Sequence, residues 1–361
     1  MNKLISEYRK YYLARSIFVK IRKKFIYILY KLFKEELNRY LYQGKLILEV
    51  IGWQNSNNSN LRKKSFFLIS RKQCHGFFSD FLNVLMNMSI ADKFNLVPVV
   101  DIANYPSFYK EEKLINNSNN VWEYYFNQNN SIKEVYKSHF IISNDTFPDL
   151  NINQFLLQKN YFSYLFKKYI DLRPEIINDF EEFKQKNFKD NFVIGLHWRG
   201  TDAKKWFDRK RTLDIDTISK YIDPIISNNN KVKIFLCTDE QLLLEIFISR
   251  YKEITVYTDS YRSNSKEALH LKDTYPRKNH RYKLGKEVLL DALLLSSCNK
   301  LIGRDSSVFR AAMVMGELDL DQFIIIPGLG SQKFNLKQYL IDPFFVYSSR
   351  IKNHFRKIKK E

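Results

Sequence analysis

The sequence is poor in residues that could hold a metal or a covalent framework. Only three cysteines (Cys74, Cys237 and Cys298) occur in 361 residues, and an odd number leaves one unpaired under any pairing. They are far apart and show no metal-ligand spacing, which excludes a disulfide scaffold and a zinc site and makes a reducing compartment the expectation. The six histidines are scattered; His270 and His280 are too far apart to form a ligand pair on one helix turn. No run of about 18 apolar residues exists, so no helix that spans a bilayer is expected. The apolar stretch 25–30 is too short for a secretory signal, and no small-residue cleavage site follows it. No repeat of fixed short period is present. These absences favour a cytoplasmic protein.

What is present is a long, foldable, basic chain. Hydrophobic residues make up 45% of it, enough for most of the length to fold. The length suits two domains, each with its own core. The formal charge of +20 is unevenly placed. Residues 1–34 hold ten Lys or Arg against Glu7, and residues 350–361 hold six against Glu361. The long middle is nearly balanced, whereas a nucleic-acid binder spreads basic residues over its folded body, so no nucleic-acid partner is expected. Tyr8, Tyr11, Tyr12, Ile17, Phe18, Ile21, Phe25, Ile28, Leu29, Leu32 and Phe33 recur at helical spacing among these charges. A cationic amphipathic helix of this kind suits an anionic membrane surface, at about 1 kcal/mol per basic residue near the headgroups. A peripheral place on the inner face of the membrane is one expectation; a helix packed on the body with a solvated basic face is the other. The organisation read from the chain is a basic helical segment over 1–45, a first folded domain over 60–190, a second over 191–345 and a basic tail over 346–361.

Periodicity then places the elements. Residues 65–70 read as a buried strand, Gly76 opens a turn, a helix runs over 78–94, and 96–101 is the next strand, together a parallel βαβ unit. Residues 104–135 are aromatic and Asn-rich and resemble a loop-heavy surface region; helical patterning covers 154–186. From there strands at 191–197, 233–237, 254–258, 300–303 and 323–326 alternate with helices at 216–227, 240–251, 285–297 and 306–315. Such alternation predicts an α/β fold with parallel sheets covered by helices on both faces. Ligands of such sheets bind beyond the carboxyl ends of the strands. The candidates there are His197, Arg199, Thr201 and Asp202 after one strand, Thr238 and Asp239 after the next, then Asp259, then Asp305, Ser306 and Ser307. The two serines head a helix N-terminus, a natural anion site. One guanidinium, hydroxyls and free helix amides suit a diphosphate, with a carboxylate left to read a base edge.

Three of these segments carry a resemblance. Gly195-Leu196-His197-Trp198-Arg199-Gly200-Thr201-Asp202 resembles the His-x-Arg-x-(Thr/Gly)-Asp motif of the fucosyltransferase superfamily. Phe235-Leu236-Cys237-Thr238-Asp239-Glu240 is similar to its strand ending in Thr-Asp. Residues 288–296 followed by Leu301-Ile302-Gly303-Arg304-Asp305-Ser306-Ser307 are similar to its helix with an acid, strand and Ser-Ser. Gly76, Phe77 and Ser79 occupy the place of its N-terminal Gly-x-Gly-Asn-Gln turn, as a first-domain loop. The resemblance implies a GT-B fold of two Rossmann-like domains, a GDP-sugar donor (most often GDP-fucose), inversion at the anomeric carbon, a glycan or glycolipid acceptor, and neither metal nor cofactor. It implies that Arg199 holds the β-phosphate, with His197, Thr201 and Asp239 beside the donor. Asp291 would read guanine, and Ser306 and Ser307 would bind phosphate. Gly200 stands where the α1,6 enzymes have a second arginine, which leaves Lys204 or Lys205 to neutralise charge. The base would be Asp208 or Asp202.

Other readings stay open beside it. Asp239 could equally cap the helix at 240–251. Asp214-Ile215-Asp216 has the form of the metal-binding Asp-x-Asp of GT-A transferases, although Asp216 as a helix cap is the simpler account. A basic membrane- or nucleic-acid-binding protein with a degenerate nucleotide fold is the third.

Overall fold

The computed structural model describes residues 41–42, 45–46, 48–50, 66–71, 74–93, 95–135, 140–143, 150–200, 213–264, 269 and 276–327. The amphipathic segment 1–40, the stretch 201–212 with Thr201, Asp202, Lys204, Lys205 and Asp208, and the basic tail lie outside them. The described chain packs into two units, neither contiguous in sequence: one takes residues up to 71 with 90–106 and 129–143, the other 74–89, 107–128 and 150–327.

In chain order come β1 (Leu41–Tyr42), β2 (Lys45–Leu46), β3 (Leu48–Val50), β4 (Phe66–Ser70), α1 (Phe77–Lys93) and β5 (Val97–Asp101). They are followed by β6 (Phe126–Asn127), α2 (Ile132–Val135), β7 (Phe140–Ser143), α3 (Ile152–Tyr169), β8 (Asp171–Leu172) and α4 (Pro174–Asn187). The first unit is built on a sheet of order β3-β7-β4-β5, in which β4 runs parallel to both neighbours and β3 is antiparallel. Every residue of β4 is buried, which is why it reads as a continuous apolar run and not as an alternating one. The expected βαβ unit is therefore present, with Phe66 opposite Val97.

Two expectations are corrected here. The helical pattern over 154–186 is two helices, α3 and α4. Pro174 takes the first helical position of α4, and Arg173 before it is held in an extended conformation, as a residue preceding proline must be. The segment 104–135 is not a loose surface: Trp122, Tyr124, Tyr125 and Phe126 are buried. Phe81 of α1 stacks on Trp122 at 6.2 Å, and Trp122 lies 4.2 Å from Phe126. Rings of this size bury more apolar surface than the polar turns around them can offset, so the segment folds inward.

The rest of the second unit comprises β9 (Phe192–His197), α5 (Ile215–Ser227), β10 (Val232–Cys237), α6 (Gln241–Tyr251), β11 (Thr255–Val256), α7 (His280–Ser296), β12 (Lys300–Gly303), α8 (Ser307–Met315) and β13 (Phe323–Ile325). The five strands are all parallel in the order β11-β10-β9-β12-β13. Side chains alternate across this sheet. Ile194, Leu196, Ile234 and Leu236 join Ile218 and Ile222 of α5 and Leu244 and Phe247 of α6 in one core cluster. Phe235, of opposite parity, meets Phe183 and Phe188. Gly195 is needed because α7 ends close to β9: a Cβ there would stand 2.9 Å from Cys298 Sγ. Two units, each around its own sheet with parallel pairing, give the mixed α/β class expected from the alternation of strands and helices.

α7 starts five residues earlier than its pattern predicts. Glu111 Oε1, distant in sequence, accepts the Tyr282 N–H at 2.9 Å, satisfying one of the donors that a helix start leaves over.

Candidate active site

The strand order fixes where a ligand can sit. From β9 the chain moves outward to β10 and β11, then returns to the other side of β9 for β12 and β13. The order reverses between β9 and β12, and the crevice beyond the carboxyl ends of such a pair is the binding position of open parallel sheets. His197 is in register with both Gly303 and Cys237, so the residues that follow these three positions share one rim.

His197 is buried, and its pKa falls to about 3, first through burial and then through the charge of Arg199. It is therefore a neutral imidazole at physiological pH. Its Nδ1 lies 3.3 Å from Ser306 Oγ. Ser306 is the extended N-cap of α8, and its hydroxyl oxygen accepts the Phe309 N–H at 3.2 Å. Ser307 opens the helix, whose leading amides carry the positive end of the helix dipole.

Arg199 is exposed, between two anchored neighbours. The Trp198 N–H donates to Cys237 O at 2.9 Å, and its indole Nε1–H donates to Leu213 O at 3.2 Å. On the other side the Gly200 N–H donates to Asp239 Oδ1 at 2.8 Å. A Cβ at Gly200 would stand 2.7 Å from Glu240 Cβ and 2.9 Å from Leu243 Cδ1. Any side chain at this position would have to displace Glu240 or Leu243.

Asp291, on α7, is 5% exposed. Thr258 donates its hydroxyl to Oδ1 at 2.6 Å, and the Cys237 thiol lies 3.7 Å from Oδ2. Burial raises the carboxyl to about 6, against the Thr258 hydrogen bond and the nearby Arg262 charge. Burial, and next the Asp291 charge, hold the Cys237 thiol well above its ordinary range. Arg262 donates to Thr258 O at 2.8 Å and to Ser260 O at 3.0 Å. The rim thus offers a guanidinium and a helix N-terminus at the switch point, and one buried, hydrogen-bonded carboxyl near the end of β10.

No family model matches the sequence, and no curated protein does. Among solved structures, that of the α1,6-fucosyltransferase NodZ crystallised with GDP is 18% identical, covers 70% of this chain and 93% of its own, and aligns with a TM-score of 0.45. The fucosyltransferase NodZ from Bradyrhizobium is 18% identical over 69% of this chain and 92% of its own, with a TM-score of 0.45. POFUT1 in complex with GDP-fucose is 12% identical over 70% of this chain and 69% of its own, with a TM-score of 0.31.

The structure therefore brings His197, Arg199, Ser306 and Ser307 to one rim, with Asp239 and Asp291 beside it; Thr201, Asp202 and Asp208 lie outside the described residues. Gly76, Phe77 and Ser79 form the start of α1. Gly76 O accepts the Ser79 N–H at 2.9 Å, the Phe77 N–H donates to the Tyr109 hydroxyl at 3.0 Å, and the Phe77 ring meets Tyr109 and Tyr125 edge-on. Two cap assignments change. Glu240, not Asp239, is the N-cap of α6, without a side-chain bond. Asp214, not Asp216, caps α5, accepting the Thr217 N–H at 2.6 Å, and Asp216 pairs with Arg250 at 3.0 Å. Asp305 is held by Arg310 through two bonds of 2.6 and 2.8 Å. Among the described residues no group of three or more His, Cys, Asp or Glu could hold a metal ion, and no helix is long and apolar enough to cross a membrane. Thr258 and Arg262 carry no signal in the sequence; they gain their meaning only from Asp291, whose Oδ1 accepts the Thr258 hydroxyl, and from Thr258 O, which accepts from Arg262.

Proposed function

We propose that this chain is a GDP-sugar glycosyltransferase that binds the donor diphosphate at the rim formed by Arg199, His197 and the N-terminus of α8. The observation that carries this reading is the meeting of His197 and Ser306 across the β9–β12 switch point, at 3.3 Å, with Arg199 two residues beyond His197. Breaking a sugar–phosphate bond builds negative charge on the leaving diphosphate. A planar guanidinium can meet two phosphate oxygens at once, and preorganised donors of this kind contribute about 2.7–4 kcal/mol each. The neutral His197 can hydrogen-bond the nucleotide without adding charge, and Asp291 supports the reading of guanine, whose edge offers adjacent N–H donors. Asp214 caps α5 and Asp216 pairs with Arg250, which favours the metal-independent reading over the Asp-x-Asp alternative.

The finer reading is an inverting, metal-independent transfer of fucose to a glycan or lipid-linked glycan, with Asp208 or Asp202 as the base and the basic N-terminal segment holding the enzyme on an anionic membrane. It rests on the motif resemblance and on charge placement. A carboxylate base would contribute about 10²–10⁴-fold. Calorimetry with GDP, with and without Mg²⁺, tests the core of the proposal. Binding that does not need Mg²⁺ and weakens in Arg199→Ala is expected; no binding, or binding only with Mg²⁺, refutes it.

A further inference from the structure

We infer that Asp239 is a positioning residue that acts through the Gly200 amide on Arg199, and not a group that meets the donor. This rests on the proposed placement of the diphosphate at Arg199 and deepens it.

The end of β10 holds both flanks of the arginine. Before it, the Trp198 N–H donates to Cys237 O; after it, the Gly200 N–H donates to Asp239 Oδ1 at 2.8 Å. Cys237 and Asp239 are two residues apart, as are Trp198 and Gly200, so the pairing continues the β9–β10 ladder past the sheet. The second bond, however, runs to a side chain. Asp239 is itself fixed: its carbonyl accepts the Ser263 N–H at 2.8 Å, and Ser263 O accepts the Gln241 N–H at 3.0 Å. A carboxylate on so firm a backbone can hold Gly200 in one place. Gly200 in turn has no freedom to move toward α6, because Glu240 and Leu243 fill the space that a Cβ would need.

Charge points the same way. A carboxylate turned toward a diphosphate would oppose the ligand that Arg199 attracts. Turned toward a backbone N–H it makes a charge-assisted bond and aims the guanidinium outward. The Thr-Asp at the end of β10 would then serve the loop after β9.

The test is a double-mutant cycle on GDP affinity, measured by calorimetry on the full chain. Asp239→Ala should weaken GDP binding about tenfold, since loss of the bond frees the Arg199 loop. Asp239→Asn keeps a carbonyl oxygen for the Gly200 N–H and should stay within about threefold of wild type. In an Arg199→Ala background, Asp239→Ala should add almost nothing, because the path to the phosphate is already cut. Independent, additive losses in the double variant would mean that Asp239 meets the nucleotide itself and would overturn the inference, as would an Asn variant as weak as the Ala variant. Should Asp239→Ala not fold, the Asn variant and its combination with Arg199→Ala decide the matter alone. An Arg199→Ala variant that binds GDP normally is a separate failure: it removes the phosphate placement and this inference with it.

Discussion

Replacing Asp291 by asparagine removes a buried ionisation from the second unit, and the structure sets the size of the effect. The carboxyl titrates near 6 in the folded chain against an ordinary 3.8. Between those values the folded state keeps a proton that the unfolded state has released, so wild-type stability falls as pH rises through the window and the loss is complete above it. About two units at about 1.4 kcal/mol each give a loss of about 3 kcal/mol. Asparagine does not ionise, fills nearly the same volume, and still presents an oxygen to the Thr258 hydroxyl. The stability of Asp291→Asn relative to wild type should therefore rise by about 3 kcal/mol from about pH 4 to about pH 8. Urea unfolding of both proteins at half-unit steps measures this, and packing differences cancel because only the change of the gap with pH matters. A gap that stays constant across the range would refute the burial argument. The same variant should bind GDP at least about tenfold more weakly if the carboxylate reads the base, a loss of function joined to a gain in stability.

Arg199→Lys should lose about 10²-fold in kcat with unchanged circular dichroism, because lysine keeps the charge and loses the planar fork; near wild-type turnover would make Arg199 structural. Gly200→Ala must displace Glu240 or Leu243 and break the bond to Asp239, so a loss of about 1–3 kcal/mol in stability is expected together with weaker GDP binding; a fully stable, active variant would show that the loop is loose. EDTA should leave most activity in place, and a loss of more than about tenfold that Mn²⁺ restores would contradict the diphosphate chemistry assigned to Arg199 and α8. Deletion of residues 1–40 should abolish sedimentation with anionic vesicles and spare GDP affinity; a truncated chain that still sediments would remove the membrane role of that segment.

Strands and helices were legible because burial imprints a period on the sequence. The apolar run 191–197 marks β9 as a strand buried on both faces, as its burial confirms. The residues beyond strand ends followed from the same reading, since a parallel sheet has only one end at which ligands collect. The positions of His197, Arg199, Ser306 and Ser307 beyond strand ends are legible in the sequence for that reason. What each of them bonds to was not legible. Asp214 and Asp216 are equivalent in local pattern, and only the arrival of Arg250 from α6 assigns one to a cap and the other to an ion pair. Asp239 read as a cap or a ligand, and its tie to Gly200 exists because β9 and β10 lie side by side. The start of α7 depends on Glu111, and the inward turn of the aromatic segment around Trp122 depends on Phe81. The division has a physical cause: periodicity records which face of an element is dry, a local property, whereas a hydrogen bond or ion pair is chosen among groups that only the packed chain brings within reach of one another.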